Sequence, residues 1–235
     1  MQLAEKNILV TGGAKRFGAV LVRRLAEKGA NVIIHCNKSK KEAEELLREL
    51  PGSGHRVITA DLSVKGEAGK LFGLTAPLDA VINNASIYQH NGIYAPQQER
   101  DLFEVNYWSP MVLMRSMLPL SPQTEDKVVI NVLDQEVLNP IPASGVYSAS
   151  RRALRDATLE MAKKYGHLNI RFNAVAPGPM LPPAELPNSK MEKSIASLPL
   201  KRKVEMEHLA DTIIFLLENT SITGAVIPVD CGQHL

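Results

Sequence analysis

A chain of 235 residues, of which 45% are hydrophobic and 22% charged, has the size and composition of a globular protein with a sizeable core. Its formal net charge of +2 at pH 7 gives no general reason to expect nucleic-acid or membrane binding. Its two cysteines exclude a disulfide framework and a cysteine-based metal cluster.

Targeting signals are missing from the expected places. Residues 1–6 lack the apolar stretch of a secretory signal peptide, and no apolar run reaches the length of a membrane span. The pair Cys36 and Cys231 fits a reducing compartment. We therefore expect a cytoplasmic protein that binds neither membrane nor nucleic acid.

Short apolar segments alternate with amphipathic ones along the whole chain. Apolar runs with few charges are typical of buried parallel strands, and apolar residues at helical spacing indicate the helices between them. Predicted strands lie at residues 7–10, 31–35, 57–60, 78–82, 128–132, 170–175 and 225–229. Four helices are predicted over residues 39–50, with Ser39 as a cap, 96–118, with a bend at Pro110, 147–165 and 205–218. Two further helices end at Gly29 and near Gly73, and another begins after Ser189.

This repeated strand–helix alternation, without a break in composition, predicts the fold class α/β. We expect one domain over residues 1–235, a doubly wound parallel sheet of the Rossmann type. Ligands of such sheets bind beyond the carboxyl ends of the strands. The residues expected at that edge are 11–13, 35–39, Asp61, 83–86, Asp134 and 177–178.

The turn after the first strand, residues 11–18, predicts a phosphate site. Glycines let the backbone approach a ligand, and the following helix points its positive end at the same place. A P-loop is excluded because Ala19 and Val20 follow Gly18, where that motif needs Lys and a hydroxyl residue. A dinucleotide fingerprint fits in outline, although Arg16 stands where a glycine is usual.

The end of the second strand favours NADPH over NADH. An NAD site usually has Asp or Glu about 20 residues past the glycines, but here no carboxylate occurs before Glu42. Lys38 and Ser39 offer a cation and a hydroxyl suited to a 2′-phosphate, and Lys15 or Arg16 adds charge. The alternative is that the lysines only begin a solvated helix.

A tyrosine and an arginine form the candidate catalytic pair. Tyr147 and Arg151 are four residues apart on one predicted helix face, which follows the fifth strand and Asp134. A phenol stays protonated at neutral pH, and a nearby carboxylate disfavours its ionisation. The arrangement therefore suits a reductase, which needs a proton donor, better than an alcohol dehydrogenase, which needs a base. His167 and His208 lack metal-ligand spacing, so no metal is expected.

Together with residues 83–85 and the opening turn, these residues resemble the short-chain dehydrogenase/reductase family over essentially the whole chain. Residues 224–232 also resemble the family's last strand, with Cys231 in place of a glycine. The resemblance implies four catalytic residues, with Asp134 at the usual serine position and Arg151 where Lys is expected. These are Asn106, Asp134, Tyr147 and Arg151. The implied cofactor contacts are Gly12, Lys15, Arg16, Phe17, Gly18, His35, Asn37, Lys38, Ser39, Asp61, Leu62, Asn83, Ala85, Ser86, Tyr147, Arg151, Pro177 and Gly178.

Within that family, several details are similar to the pteridine reductase branch, which includes dihydromonapterin and dihydrofolate-type reductases. They are residues 11–18, 35–39, 61–63 and 83–86, with Asp134 in place of serine. The resemblance implies that Tyr88 stacks on the pterin, unless it is merely an exposed loop aromatic. The implied substrate contacts are Arg16, Ser86, Tyr88, Asp134, Tyr147 and Met180.

Three functions stay open at this point. The favoured one is NADPH-dependent reduction of a pteridine. The second is reduction of another carbonyl substrate, since the proline-rich loop at 177–187 identifies no ligand. The third is a catalytically weak, regulatory NADP-binding protein, because the broad guanidinium of Arg151 does not simply reproduce a lysine ammonium. The family resemblance also implies a homotetramer, or at least a dimer, formed through the 96–118 and 147–165 helices.

Overall fold

The computed structural model describes residues 1–75, 77–88, 95–118, 125–140, 145–180 and 188–235. Seven parallel strands in this part of the chain form a sheet with the order β3-β2-β1-β4-β5-β6-β7. The strands are β1 (Asn7–Val10), β2 (Asn31–Cys36), β3 (Arg56–Thr59), β4 (Ala80–Asn83), β5 (Lys127–Val132), β6 (Ile170–Pro177) and β7 (Val226–Val229). The predicted doubly wound parallel sheet is confirmed.

Helices connect the strands on both faces. They are α1 (Arg16–Glu27), α2 (Lys40–Glu49), α3 (Glu67–Thr75), α4 (Pro96–Phe103), α5 (Ser109–Ser116), α6 (Val146–Tyr165), α7 (Asn188–Ser197) and α8 (Met206–Glu218). Among the described residues, none of the helices combines the length and apolarity needed to cross a bilayer.

The strands are buried on both faces, which explains their continuous apolar runs. Along β1, Ile8 and Val10 pack with residues of α1, α2 and α8, whereas Leu9 packs with residues of α3, α5 and α6 on the other face. Two hydrophobic layers therefore hold the sheet rigidly. The order of the strands reverses between β1 and β4, and the crevice at their carboxyl ends is where ligands of such sheets bind.

The predicted helix over 96–118 differs in the structure. A π-helical turn, Glu104–Trp108, separates α4 from α5, and the N–H of Ser109 donates to the carbonyl of Glu104. Pro110 lies in the first turn of α5, not at the irregular point itself. Because proline lacks an N–H and crowds the carbonyl four residues earlier, the wider turn just before it accommodates the ring.

Ser39 occupies the position before α2, but its side chain makes no capping hydrogen bond. The expectation that Ser39 caps this helix is therefore wrong. Its hydroxyl makes no hydrogen bond to the first turn of α2, and Ser39 stands between β2 and α2.

Candidate active site

The turn between β1 and α1 requires glycine at two positions. Gly12 has a φ of +63°, and a Cβ there would lie 3.0 Å from the Cα of Ala85. A Cβ on Gly18 would collide with the carbonyl oxygen of Gly12. The backbone of the turn is thus packed too closely for any larger residue at these two positions.

The segment that directly follows β4 braces this turn through hydrogen bonds. The hydroxyl of Thr11 accepts hydrogen bonds from the N–H groups of Asn84 and Ala85 at 2.9 and 3.0 Å. The Asn84 amide donates to the carbonyls of Thr11 and Gly12 at 2.9 and 3.0 Å. The turn therefore has a fixed shape before any ligand binds.

The N-terminus of α1 carries the features of an anion site. Lys15 stands at the capping position without a side-chain cap, and the first turn holds no acidic residue. The backbone N–H groups of this turn and the helix dipole both favour negative charge. Lys15 itself forms an ion pair with Glu42 at 2.5 Å, so part of its charge is already matched.

His35 supports the turn from below. Its Nδ1 accepts the N–H of Gly12 at 3.2 Å, and its Nε2 lies 3.1 Å from the carbonyl of Ala60, to which the neutral ring donates. Burial lowers the pKa of His35, which keeps the ring neutral in this arrangement. Since both ring nitrogens bond to the main chain, His35 can serve a cofactor only by positioning the Gly12 turn.

Asp61, at the end of β3, binds its neighbours. Its carboxylate accepts hydrogen bonds from the hydroxyl and N–H of Ser63, at 2.7 and 3.0 Å. Hydrogen bonds from Ser63, and then from Asn37, together with the nearby charge of Lys38, lower the pKa of Asp61. Asn37 and Lys38 therefore lie close to this carboxylate, whereas Leu62 is buried in the hydrophobic layer against α3.

The structure brings Tyr147 and Asp134 together. The phenol of Tyr147, near the start of α6, donates to Oδ2 of Asp134 at 3.2 Å, and Oδ1 accepts the N–H of Glu136 at 3.0 Å. Burial, and to a smaller extent the carboxylate of Asp134, raise the pKa of Tyr147 to about 12 against the charge of Arg151. Tyr147 is therefore a protonated donor at neutral pH.

Arg151 lies one helical turn after Tyr147 and is buried, with 3% of its surface exposed. Its guanidinium carbon is 5.4 Å from the centre of the Tyr147 ring, and Nη1 donates to the carbonyl of Val132 at 3.3 Å. Its Nε is buried without a hydrogen-bond partner among the described residues. A buried N–H left unsatisfied in this way is costly, and a ligand hydroxyl would remove that cost.

Asn106 lies in the π-helical turn and is fully buried. Its amide pairs with both main-chain groups of Ile87 at 3.0 Å and reaches the hydroxyl of Ser150 at 3.4 Å. Asn106 thus joins the segment after β4 to α6, and these hydrogen bonds support the helix that carries Tyr147.

Tyr88 stands beside the phenol. Its ring centre is 4.8 Å from that of Tyr147, at an interplanar angle of 72°, and 52% of its surface is exposed. Edge-to-face packing at this distance is a favourable aromatic arrangement. Of the loop at 177–187, residues 181–187 lie outside the described part, while Met180 packs against the hydrophobic layer beside α1 and α8.

A cleft of about 450 Å³, a volume typical of small-molecule sites, lies at this edge of the sheet. Its lining contains most of the predicted contacts around the phosphates, the phenol and the substrate. They are Gly12, Lys15, Arg16, Phe17, Gly18, Ala85, Ser86, Asp134, Tyr147, Arg151, Pro177, Gly178 and Met180. Among the described residues, no cluster of three or more metal-ligand side chains occurs.

Seven predicted cofactor residues do not line this cleft, and neither do Asn106 and Tyr88. The seven are His35, Asn37, Lys38, Ser39, Asp61, Leu62 and Asn83. Asn83 is buried and donates to Asn131 of β5 at 2.7 Å, and Leu62 lies within the hydrophobic layer. Its neighbour Asn84, which was not among the predicted contacts, lines the cleft and holds the turn. The pattern that could have indicated Asn84 is the alternation of side chains along a strand, because Asn83 is still part of β4.

Comparison with known proteins agrees with this geometry. A protein-family model described as enoyl-(acyl carrier protein) reductase matches residues 12–234. The structure of FolM alternative dihydrofolate reductase 1 from Brucella canis, complexed with NADP, is similar with a TM-score of 0.91 and 35% identity, covering 99% of this chain and 95% of that one. L-xylulose reductase of Bos taurus is 29% identical over 99% of this chain and 98% of its own length. Glucose 1-dehydrogenase of Gluconobacter oxydans is 30% identical over 100% and 94%.

The family match spans almost the entire sheet and the cleft at its edge. It includes the glycine turn, Tyr147 and the strand ends that surround them. The chain belongs to the short-chain dehydrogenase/reductase family of oxidoreductases.

Proposed function

We propose that the protein is an NADPH-dependent reductase of a pteridine or dihydropteridine, such as dihydrobiopterin, dihydromonapterin or dihydrofolate. The observation that carries this proposal is the hydrogen bond from the Tyr147 phenol to the Asp134 carboxylate. It provides a proton donor that stays protonated, which a reduction requires. The likeness to the NADP-complexed FolM structure supports the same substrate class.

The cleft fits NADPH in three respects. The Gly12 and Gly18 turn leaves room at the uncapped N-terminus of α1 for the pyrophosphate. Lys38 and Ser39, which follow β2 outside the cleft lining, offer a cation and a hydroxyl for the 2′-phosphate. The unpartnered Nε of Arg151 suits a ribose hydroxyl deeper in the cleft. NADPH, when bound, supplies the hydride.

The side chains of the protein supply the proton for the reduction. Asp134 orients the phenol of Tyr147 through their hydrogen bond, and its negative charge opposes ionisation of the phenol. Arg151 holds a permanent positive charge beside the ring, which stabilises the phenolate formed when the proton leaves. Tyr147 therefore donates to the C=N or C=O group that accepts the hydride.

A flat heterocycle suits the entrance of the cleft. The half-exposed ring of Tyr88, next to Tyr147, offers a broad aromatic face for stacking. Arg16, Ser86 and Met180 line the cleft, and with Tyr88 they form the proposed substrate surface.

A second candidate is reduction of a sugar or another carbonyl compound. It is favoured by the curated relatives, which include L-xylulose reductases and a glucose 1-dehydrogenase. The third, a regulatory NADP-binding protein with weak activity, is motivated by Arg151 alone.

A substrate panel separates the three functions. NADPH oxidation is followed with dihydropteridines, dihydrofolate and carbonyl compounds that include L-xylulose and glucose-derived lactone. We expect kcat/KM to be highest for a dihydropteridine. Preferred turnover of a sugar would establish the second function, and tight NADPH binding without turnover would establish the third.

The assembly and location expected from the sequence stay proposals. Trp108, Val112 and Leu159 are exposed apolar residues on the π-turn, α5 and α6, the helices through which a dimer or tetramer is proposed. Analytical ultracentrifugation of the purified chain decides between these states, and a monomer would contradict both. A cytoplasmic location is likewise still a prediction.

A further inference from the structure

An ion pair joins the first turns of two helices at the edge of the cleft. Lys15 stands at the capping position of α1 and lines the cleft, and Glu42 lies in the first turn of α2. Their ammonium and carboxylate groups are 2.5 Å apart. Because β1 and β2 are parallel neighbours, the helices that follow them begin at the same edge of the sheet. The pair therefore links the proposed pyrophosphate turn to the segment after β2.

The local sequence favours a different partner for Glu42. Ser39 and Glu42 have the spacing of a capping box, in which the serine and the glutamate bond to each other's main-chain N–H groups. The side chain of Ser39 makes no capping hydrogen bond, and the carboxylate of Glu42 contacts Lys15 of the neighbouring helix. Glu42 thus binds a cation of the cleft lining in place of completing the cap of its own helix.

The Lys15–Glu42 pair is open to exchange. The hydrogen bond from Lys15 is the main cause that lowers the pKa of Glu42, so the carboxylate is ionised at neutral pH. The two side chains are 51% and 41% exposed, and ion pairs at such exposure are weak. A phosphate monoester carries about two negative charges near neutral pH, so it attracts an ammonium group more strongly than one carboxylate does.

We infer that Glu42 is a specificity-determining residue for the cofactor, which holds Lys15 in the free protein and releases it to the 2′-phosphate of NADPH. The inference rests on the proposed use of NADPH and on the usual place of the adenosine ribose, at the end of the second strand of such sheets. With NADH, which has no 2′-phosphate, Lys15 stays paired with Glu42. Glu42 therefore lowers the affinity for NADPH and leaves the affinity for NADH unchanged.

The opposite role for Glu42 predicts the opposite sign. In NAD sites an acidic residue after the second strand accepts hydrogen bonds from the ribose hydroxyls, so its removal weakens NADH binding. Glu42 lies inside α2, beyond the segment that follows β2, and its carboxylate already binds Lys15. Both observations favour the role of a competitor for Lys15 over that of a ribose ligand.

Calorimetric titration of the full-length protein with NADPH and with NADH, without substrate, tests the inference. An exposed ion pair changes an equilibrium constant by up to about fivefold, so Glu42→Gln should bind NADPH about threefold to fivefold more tightly. Its affinity for NADH should stay within about twofold of the wild-type value. Glu45→Gln is the matched control, because it removes the same charge from the same helix at a residue that pairs with Lys41.

A second variant shows whether Glu42 acts through Lys15. Lys15→Met should weaken NADPH binding, and adding Glu42→Gln to it should have no further effect on that affinity. Because both side chains are exposed, we expect the melting temperature of each variant to stay close to that of the wild type.

Three results would overturn the inference. They are unchanged NADPH affinity in Glu42→Gln, the same gain in Glu45→Gln or with NADH, and weaker NADH binding in Glu42→Gln. Wild-type protein that binds NADH as tightly as NADPH would reject the proposed cofactor preference, while the effect of Glu42→Gln on NADPH binding would still decide the role of Glu42. Failure to reduce a pteridine would reject the proposed substrate and leave these binding measurements unaffected.

Discussion

At the scale of single residues, the site depends on how neighbours change the chemistry of one phenol. Burial and Asp134 keep Tyr147 protonated, while the charge of Arg151 favours the phenolate. The sequence predicted that a carboxylate opposes ionisation of this tyrosine, because Asp134 follows β5 and Tyr147 begins the next helix, α6. The buried, unpartnered Nε of Arg151 was not, because side-chain burial depends on how α6 packs against the sheet.

Replacing Asp134 tests this balance. Asp134→Ser removes the negative charge that raises the pKa of Tyr147, so that pKa should fall from about 12 and the loss of the proton donor at high pH should begin at lower pH. Turnover should also slow, because the orienting hydrogen bond is lost. The measurement is kcat against pH. Asp134→Asn, which keeps an acceptor without the charge, separates the two effects, and an unchanged profile in both variants would refute the argument.

Lys38 tests the cofactor preference. A charge-assisted hydrogen bond to the 2′-phosphate contributes about 1.5–3 kcal/mol, so Lys38→Ala should weaken NADPH binding about tenfold or more and leave NADH binding nearly unchanged. Calorimetric titration with both cofactors measures this. Lys41→Ala, at an 86%-exposed lysine of the same helix start, is the matched control. Equal or tighter binding of NADH to the wild-type protein would remove the preference altogether.

At the scale of elements, local sequence signals predicted the strands, α1 and the glycine turn because each has a strong local cause. Gly12 and Gly18 are required by close backbone approach, which a motif reveals directly. The π-helical turn before Pro110 was not predictable, since the proline marks an irregularity but not the residues that absorb it. The prediction that Ser39 caps α2 was wrong because a residue type that often caps helices does not ensure a capping bond.

The glycine turn gives a prediction at this scale. Gly18→Ala places a methyl group against the carbonyl oxygen of Gly12, so it should distort the turn and abolish measurable NADPH binding. Gly73→Ala in α3 is the control, since a Cβ there meets nothing within 4 Å and alanine favours a helix by about 1 kcal/mol. Fluorescence titration with NADPH and thermal unfolding measure both variants. Wild-type NADPH affinity in Gly18→Ala would show that the turn does not hold the phosphates.

At the scale of the whole molecule, the alternation of strands and helices was enough to predict the sheet and the edge at which its ligands bind. The alternation predicted which segments meet at that edge. The cleft at this edge contains most of the residues expected there. It did not predict which side chain at each strand end enters the cleft, as Asn83 and Asn84 show. That choice depends on where each strand ends, and single-residue differences in strand length reverse it.

The measurement that tests the central claim most directly is NADPH-dependent reduction of a dihydropteridine by the wild-type protein and by Tyr147→Phe. Phenylalanine keeps the ring beside Tyr88 and Arg151 but carries no proton to donate. We predict steady turnover by the wild type and a kcat lower by about 10²–10⁴-fold in Tyr147→Phe. Wild-type rates in Tyr147→Phe would contradict the account.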